Sequence, residues 1–140
     1  MKADVNIRKD FIEQFGSGRP LLIATAPGRV NLIGEHTDYN EGYVLPMAIE
    51  FQVTMAGRPR NDDLVTIYAA DYQQKVMFSL AGPIEYDREK PWSNYLRGVC
   101  RVLQEQGIKL QGMEVAFAGT IPQGAGLSSS AAVEVATALL

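Results

Sequence analysis

The segment that most constrains the fold is residues 111–140, where three structural patterns follow one another directly. Between residues 111 and 119 larger apolar residues alternate with Glu114 and alanine, which predicts a β-strand. Glycines and serines come next, and from Ser128 onward the composition predicts a helix. Before the final Leu140 there is no Gly, Asn or Pro stop signal, so we expect the chain to end inside that helix. Its core-facing residues are expected to be those that recur four apart: Leu127, Ala131, Val135 and Leu139.

Upstream of this segment the sequence predicts four more strands and two helices. The strands are rich in Val, Ile, Tyr and Phe and are expected over residues 21–26, 44–56, 64–70 and 75–80. One helix is expected over residues 5–15, and a second follows an apolar stripe made of Trp92, Tyr95, Leu96, Val99 and Leu103. Polar turns between the strands favour a largely antiparallel sheet. With 140 residues, 46% of them hydrophobic, the chain fits a single α+β domain.

The composition favours a soluble protein that binds small molecules. Thirteen basic and 16 acidic residues give a net charge of -3, with no basic stripe to follow a nucleic acid or an anionic membrane. Cys100 is the only cysteine, so no internal disulfide is possible and a reducing compartment is expected. The N-terminal residues mix charges throughout, unlike a signal peptide, and no segment reaches the roughly 18 apolar residues of a membrane span. We therefore expect a cytoplasmic protein without nucleic-acid or membrane partners.

The Gly/Ser loop, residues 122–132, lies between the last predicted strand and the last predicted helix. Glycines let backbone N–H groups close around phosphate oxygens, a helix start attracts anions, and serine hydroxyls add donors or a metal ligand. Three familiar motifs are excluded, each by one residue. A Walker A loop needs a lysine where this chain has Ala125, and the dinucleotide-binding G-x-G-x-x-G motif needs a third glycine where it has Ser129. The G-x-S-x-G motif of hydrolases needs a final glycine where it has Ser130. A Gly-rich turn followed by ordinary serine helix caps fits the composition equally well.

A second dense group of polar residues occupies residues 26–40. The apolar residues Val30, Leu32 and Ile33 between them predict a rigid strand as support. Carboxylates in such a place accept hydrogen bonds from sugar hydroxyls, and an arginine stabilises charge on a phosphoryl group. The polar members of the group are Arg29, Asn31, Glu35, His36, Asp38 and Asn40.

The same polar residues fit three different roles as well. His36 with Glu35 and Asp38 is a conceivable metal site, although a second histidine at a ligand spacing is lacking. Glu35 and Asp38 are also a conceivable carboxylate pair for glycoside hydrolysis, but their separation on a loop is not predictable. In a purely structural role the charges are solvated or form surface salt bridges of about 0 to 1 kcal/mol each.

Together the two segments resemble the motifs of the galactokinases, a branch of the GHMP kinase family. Residues 28–40, followed by 42–49, are similar to the galactokinase signature at nearly every position, and residues 122–132 are similar to the second GHMP motif, P-x-x-x-G-L-x-S-S-A. The extension over residues 37–40, which other GHMP kinases lack, favours a galactose-type sugar. N-acetylgalactosamine kinases share much of it. The resemblance covers nearly the whole chain but only the N-terminal portion of such an enzyme.

The resemblance implies a role for each matching residue. Arg29 would be the catalytic residue beside the transferring phosphoryl group, and Glu35, His36 and Asp38 would hydrogen-bond the sugar hydroxyls. Ser130 would help to hold Mg²⁺. Trp92 and Tyr95 would lie near adenine, although their shared apolar stripe favours a place in the core at least as strongly. The implied ATP-binding set is Gly124, Ala125, Gly126, Leu127, Ser128, Ser129, Ser130, Trp92 and Tyr95.

The implied reaction is transfer of the γ-phosphoryl group of ATP to the anomeric hydroxyl of α-D-galactose, with galactose 1-phosphate and ADP as products. The implied fold is the GHMP kinase N-terminal domain, with a ribosomal protein S5 domain 2-like arrangement and the C-terminal domain absent. The family's catalytic aspartate, in a motif resembling G-x-M-D-Q, does not occur in these residues. We therefore expect the rest of the kinase chain as a partner and no activity from these residues alone.

Two alternative functions fit the same motifs. One is an N-acetylgalactosamine kinase, and the other is a galactose and ATP sensor that binds both ligands without transferring the phosphoryl group. Such sensors lose residues of the second motif, whereas residues 128–132 are intact here, which favours an enzyme.

Overall fold

The computed structural model describes residues 6–18, 22–34, 36–122 and 124–140, with only the backbone of Asp38. Helix α1 is followed by four strands, helix α2, a fifth strand and helix α3, with short 3₁₀ turns at Asp38–Asn40 and Pro91–Ser93. The bounds are α1 Ile7–Phe15, β1 Leu22–Ile33, β2 Leu45–Pro59, β3 Leu64–Ala69, β4 Gln74–Ser79, α2 Asn94–Glu105, β5 Met113–Gly119 and α3 Ser129–Leu139. Within the described residues no helix is long and apolar enough to cross a membrane.

The strands form one sheet in the order β1-β2-β5-β3-β4. Neighbouring strands are antiparallel except β3 and β5, which run parallel with Ile67 opposite Val115. The segment between β4 and β5, which contains α2, makes the crossover that a parallel pair requires. The prediction of a largely antiparallel sheet is confirmed, and the one parallel pair places β5 at its centre.

Both faces of the sheet are covered, and β5 shows how the sequence achieves this. Val115 and Phe117 belong to the larger core cluster, which includes residues of α2 and α3. The alternate residues Ala116 and Ala118 pack with Phe11 of α1 in a second cluster. Because successive side chains of a strand point to opposite faces, α1 lies opposite α2 and α3. The alanines leave room for α1 to lie close to the sheet.

Strand β1 is continuous across Pro27 and Gly28, which separate the two stretches of strand that the sequence predicts. The strand expected over residues 21–26 continues to Ile33, although Pro27 and Gly28 normally end strands. β1 is an edge strand, where a proline is tolerated, and its pairing with β2 shifts register between Pro27 and Arg29. The first half of the signature segment is therefore part of the sheet.

The predicted core-facing side of α3 is wrong. Ala131 is exposed, Val135 is 52% exposed and Leu139 is 65% exposed. The buried residues are Ala132, Val133, Ala136 and Thr137. This helix is rich in Ala, Val, Thr and Leu on nearly all sides, so the spacing of apolar residues does not distinguish the inner face from the outer one. Leu127, which precedes the helix, does pack against the core as expected.

Helix α2 begins later than its predicted apolar stripe. Trp92 lies in the preceding 3₁₀ turn, and Tyr95 is 41% exposed. The buried residues of the helix are Leu96 and Cys100, with Val99 half-buried. Trp92 is half-buried and packs against the core, whereas Tyr95 faces outward from it. A place in the core is therefore correct for Trp92 but not for Tyr95.

Candidate functional site

The two predicted motifs meet where β1 passes the Gly/Ser loop. The backbone N–H of Arg29 donates a hydrogen bond to the carbonyl oxygen of Leu127, with a nitrogen–oxygen distance of 3.1 Å. Gly28 is buried at this contact, and a Cβ atom there would lie 2.8 Å from the same oxygen and 3.1 Å from Cδ1 of Ile49. A side chain at residue 28 would therefore push the strand and the loop apart. The fold joins two segments that are far apart in the sequence.

The backbone of the Gly/Ser loop contains three residues in the left-handed conformation. Gly124, Gly126 and Ser128 have φ angles of 71°, 68° and 59°, all in the left-handed region. A Cβ atom on either glycine would meet nothing within 4 Å, so glycine is needed there for its φ angle and not for space. Alternating left-handed residues are typical of the concave nests of N–H groups that hold phosphates.

The start of α3 fits a negatively charged ligand. Ser128 is the N-cap residue, but its side chain makes no capping hydrogen bond to the helix. The interpretation of the loop serines as caps of an ordinary helix therefore fails for Ser128. Because a helix of this length presents free N–H groups and a partial positive charge at its start, the position suits a phosphate group.

An aromatic cavity adjoins the start of α3. It measures about 80 Å³, and its wall includes Trp92, Tyr95, Ser129 and Ser130. The two predicted adenine residues thus share one cavity with two of the predicted phosphate-binding serines, although they come from different elements. A pocket for a whole ligand usually has a volume of about 300 to 1,000 Å³, so this one has room for part of a ring at most.

Trp92 is fixed in that cavity by three contacts. Its ring stacks on Tyr72 with centroids 6.0 Å apart and planes 15° apart, and it also contacts Phe117 at 5.8 Å. Its Nε1–H donates a hydrogen bond of 2.8 Å to Oε1 of Gln74. Trp92 therefore both packs against the core and forms a wall of the cavity, so the two roles expected for this residue are compatible.

Two further residues of the cavity, Asp71 and Tyr72, are absent from the predicted site and lie in the turn between β3 and β4. Oδ2 of Asp71 accepts a hydrogen bond of 2.8 Å from the backbone N–H of Gly119. Both residues come from a segment whose sequence indicates only a polar turn. The single available signal is an aromatic residue in that turn, and it does not indicate which element the ring meets.

Two side chains of β1 lie near the contact between the strand and the loop. Arg29 is exposed and forms no ion pair with any other described side chain. Two residues further on, and therefore on the same face, Oδ1 of Asn31 is buried without a hydrogen-bond partner in the described parts of the chain. A buried acceptor without a donor is costly, so this atom suits a ligand that donates a hydrogen bond.

In the second half of the signature, residue 34 and residues 36–44 form a compact loop. The hydroxyl of Thr37 lies 2.7 Å from the carbonyl oxygen of Gly34 and 3.0 Å from that of Tyr43. Gly34 has a φ angle of 94°, and a Cβ atom there would lie 2.9 Å from Oγ1 of Thr37. The loop is thus packed around one threonine.

His36 lies in this loop in the left-handed conformation, with a φ angle of 61°. Nδ1 of its ring lies 2.5 Å from the hydroxyl of Tyr39, and its carbonyl oxygen accepts a hydrogen bond of 2.8 Å from Nδ2 of Asn40. Glu35 and the side chain of Asp38 lie outside the described residues. Within the described ranges no group of three or more His, Cys, Asp or Glu side chains could hold a metal ion.

Comparison with known families identifies both halves of this site. Residues 9–59 match the galactokinase galactose-binding signature, and residues 94–140 match the N-terminal domain of the GHMP kinases. Together the two matches span more than half of the chain. The chain belongs to the GHMP kinase family. The predicted α+β fold of a GHMP kinase N-terminal domain is confirmed.

Solved structures of GHMP kinases superpose on the chain. A galactokinase from Lactococcus lactis, in complex with galactose, is 39% identical with a TM-score of 0.83 over 90% of this chain and 33% of its own. A mevalonate kinase from Methanococcus jannaschii is 23% identical with a TM-score of 0.71 over 87% of this chain and 39% of its own, a likeness in fold alone. The chain therefore spans about a third of the length of that galactokinase.

Proposed function

We propose that the chain supplies the galactose-binding and ATP-phosphate-binding elements of a galactokinase, which transfers the γ-phosphoryl group of ATP to the anomeric hydroxyl of α-D-galactose. The observation that supports this most is the hydrogen bond between Arg29 and Leu127, which holds the signature strand against the Gly/Ser loop. A phosphoryl donor on the loop and an acceptor at the signature would then be neighbours. Such proximity is a large part of catalysis in phosphoryl transfer.

In this proposal the Gly/Ser loop and the start of α3 bind the phosphates. The left-handed residues Gly124, Gly126 and Ser128 and the uncapped helix start support that role. Ala125, Leu127 and Ser129 complete the loop. Ser130 would be the protein's ligand to Mg²⁺, and the bound ion neutralises charge on the phosphate oxygens. Arg29 would stabilise the charge of the group in transfer.

The adenine ring would lie at the mouth of the aromatic cavity. Tyr95 is partly exposed there, and Trp92 is held by its stacking on Tyr72 and its hydrogen bond to Gln74. A flat aromatic ring gains about 0.5 to 1.5 kcal/mol from contact with such aromatic side chains beyond the area that it buries. A ring bound at this edge would leave the phosphates directed at the start of α3.

The sugar would be held by Glu35, His36 and Asp38, whose hydrogen bonds to the hydroxyls are charge-assisted at the two carboxylates. The compact loop around Thr37 supports this, because a preformed loop loses little conformational entropy when the sugar binds. The unpartnered Oδ1 of Asn31 adds an acceptor beside Arg29. The catalytic base is expected from the rest of the kinase, so we expect no turnover from these residues alone.

Two other functions share these binding elements. An N-acetylgalactosamine kinase would need extra room at one sugar hydroxyl, and a sensor would bind galactose and ATP without transfer. The intact serines and alanines of residues 128–132 favour a catalyst over a sensor. A cytoplasmic location is part of the same proposal, because the single cysteine, Cys100, is free and buried, as is usual for a protein of a reducing compartment.

Replacement of Asp38 tests the sugar assignment. In the complete gene product that contains this chain, Asp38→Ala is expected to weaken galactose binding about tenfold or more in calorimetric titration, because a hydrogen bond to a charged group is lost. Binding of ATP should change less than about twofold. The control is Asp63→Ala, which removes an exposed carboxylate from the turn between β2 and β3 and should change neither affinity. Equal losses for both ligands with Asp38→Ala would refute the assignment.

A further inference from the structure

We propose that Tyr39 is a positioning residue that sets the tautomer of His36. Its hydroxyl keeps Nδ1 unprotonated, so that the ring proton is on Nε2 and is available to a sugar hydroxyl oxygen. This inference rests on the proposed function, in which His36 contacts the sugar. It assigns a purpose to Tyr39, a signature residue to which the motif alone attaches no role.

The geometry of the pair supports a direct hydrogen bond. Nδ1 of His36 and the hydroxyl oxygen of Tyr39 are 2.5 Å apart, and the two rings meet edge to face with centroids 5.9 Å apart. The hydroxyl of Tyr39 can donate to an unprotonated Nδ1 or accept from a protonated one; the donor role is assigned to the phenol because its O–H is a stronger acid than an imidazole N–H and the imidazole nitrogen is the stronger base. In neutral imidazole one nitrogen donates and the other accepts, so occupation of Nδ1 by a donor leaves the proton on Nε2.

The backbone around the pair also fixes the direction of the histidine ring. His36 has a φ angle of 61°, which is unusual for a residue with a side chain. The side chain of Asn40 holds the carbonyl oxygen of His36, and the backbone N–H of Gly42 bonds to that of Thr37 at 2.8 Å. The 3₁₀ turn Asp38–Asn40 then brings the Tyr39 ring back over His36.

The exposure of the pair argues against a role in stability. Tyr39 is 70% exposed and His36 is exposed as well, so their hydrogen bond buries little surface and competes with water. Tyr39 therefore adds little to the stability of the fold, and its consequence for the site is the contact that it makes with the ring of His36. Tyr43 in the same loop is 99% exposed and provides a matched tyrosine without this contact.

The tautomer is measurable in the complete gene product that contains this chain, because the histidine resonances that disappear in His36→Ala belong to His36. With ¹⁵N-labelled histidine, long-range proton–nitrogen NMR spectra of the neutral ring should show a protonated Nε2 and an unprotonated Nδ1. Tyr39→Phe should move both nitrogen resonances towards the values of a tautomer mixture, and Tyr43→Phe should leave them unchanged. A protonated Nδ1 in the wild-type chain, or a Tyr39→Phe spectrum identical to the wild type, would overturn the inference.

A second measurement separates this inference from the proposed function. In the complete gene product, Tyr39→Phe is expected to raise the dissociation constant for galactose about two- to tenfold, the usual effect of one hydrogen bond, and to leave ATP affinity and the thermal midpoint unchanged. His36→Ala should weaken galactose binding further. If His36→Ala weakens binding but Tyr39→Phe does not, the inference fails alone. If His36→Ala binds galactose normally, the proposed role of His36 fails, and the NMR spectra still decide the tautomer.

Discussion

The backbone N–H of Arg29 and the carbonyl oxygen of Leu127 form a hydrogen bond of 3.1 Å that joins the galactokinase signature to the Gly/Ser loop. Both groups are main-chain atoms, so the contact does not depend on which side chains occupy the two positions. What it does require is a glycine at residue 28, because a Cβ atom there would lie 2.8 Å from the same oxygen. The two halves of the site are held together by a close approach of two backbones.

Gly28→Ala should separate the strand from the loop. The added methyl group would also come within 3.3 Å of Cδ1 of Ile121, so neighbouring atoms crowd it and the backbone must shift to make room. We expect a loss of about 1 to 3 kcal/mol in the free energy of unfolding, the usual cost of overpacking, measured by urea denaturation. If the signature and the loop bind the two substrates as proposed, activity of the complete gene product should fall more than this loss explains, because the contact would set the positions of both substrates.

Gly98→Ala is the matched control for that change. Gly98 lies inside α2 with nothing within 4 Å of its added Cβ atom, and alanine is the better helix former by roughly 0.5 to 1 kcal/mol. The variant should be as stable as the wild type or slightly more stable. If Gly28→Ala behaved like Gly98→Ala in stability and turnover, the close approach would have no importance.

Arg58 is expected to fasten α1 to the sheet. Its Nε–H donates to Oε2 of Glu114 at 2.9 Å, its Nη2 donates to the carbonyl oxygen of Phe15 at 2.7 Å, and its guanidinium lies 5.3 Å from the ring centre of Phe11. The side chains of Arg58 and Glu114 are only 14% and 17% exposed. Arg58→Ala should therefore destabilise the fold by about 2 to 4 kcal/mol, because a mostly buried carboxylate loses its main partner.

Lys9→Ala is the control for Arg58→Ala. The pair of Lys9 and Glu13 is 3.7 Å apart, with side chains 70% and 58% exposed, so its loss should cost no more than about 0.5 kcal/mol. Urea denaturation of the two variants measures both values. Similar small losses for both would show that Arg58 does not hold α1 in place.

Cys100 should react with thiol reagents only when the fold opens. The residue is 4% exposed, and burial raises the pKa of its thiol from 9.0 to about 11. The thiol is therefore protonated at pH 8 as well as shielded, and both effects slow its attack on a disulfide reagent. We expect labelling with Ellman's reagent at pH 8 to be slow in buffer and fast in urea. Rapid complete labelling without urea would contradict the buried position.

The same shift predicts a loss of stability at high pH. The folded pKa lies above the unfolded one, so the contribution of the protonated thiol is complete below about pH 9 and is lost as the pH rises towards 11. The free energy of unfolding should fall across this range in the wild type. In Cys100→Ala the fall should be smaller, and an identical pH profile would show that this thiol is not responsible.

Local pattern is enough to predict the type and order of the elements but not how the faces meet. It predicts one strand that ends at residue 26 and a second stretch of strand at Val30, Leu32 and Ile33, and only the place of this strand at the sheet edge allows the two to be continuous across Pro27 and Gly28. The inner face of α3 is wrongly predicted from Val135 and Leu139, because apolar residues surround that helix. Tertiary packing, and not propensity, decides both cases.

In the candidate site, too, local features are predictable from the sequence and long-range contacts are not. The backbone conformation of the Gly/Ser loop is predictable because positive φ angles favour glycine at residues 124 and 126. The contact of Gly28 with Leu127 and the stacking of Tyr72 on Trp92 are not predictable, because each joins segments that only the sheet topology brings together. Residues that act through such long-range contacts do not recur at a characteristic spacing, so the sequence contains no pattern that identifies them.

Product formation by the complete gene product tests the central claim most directly. The enzyme should be incubated with ATP, Mg²⁺ and either galactose or N-acetylgalactosamine, and the products followed by ³¹P NMR. We predict a sugar 1-phosphate signal that grows with ADP when galactose is present and grows much more slowly with N-acetylgalactosamine. Calorimetric binding of galactose and ATP without any galactose 1-phosphate in the spectrum would contradict the assignment of a galactokinase.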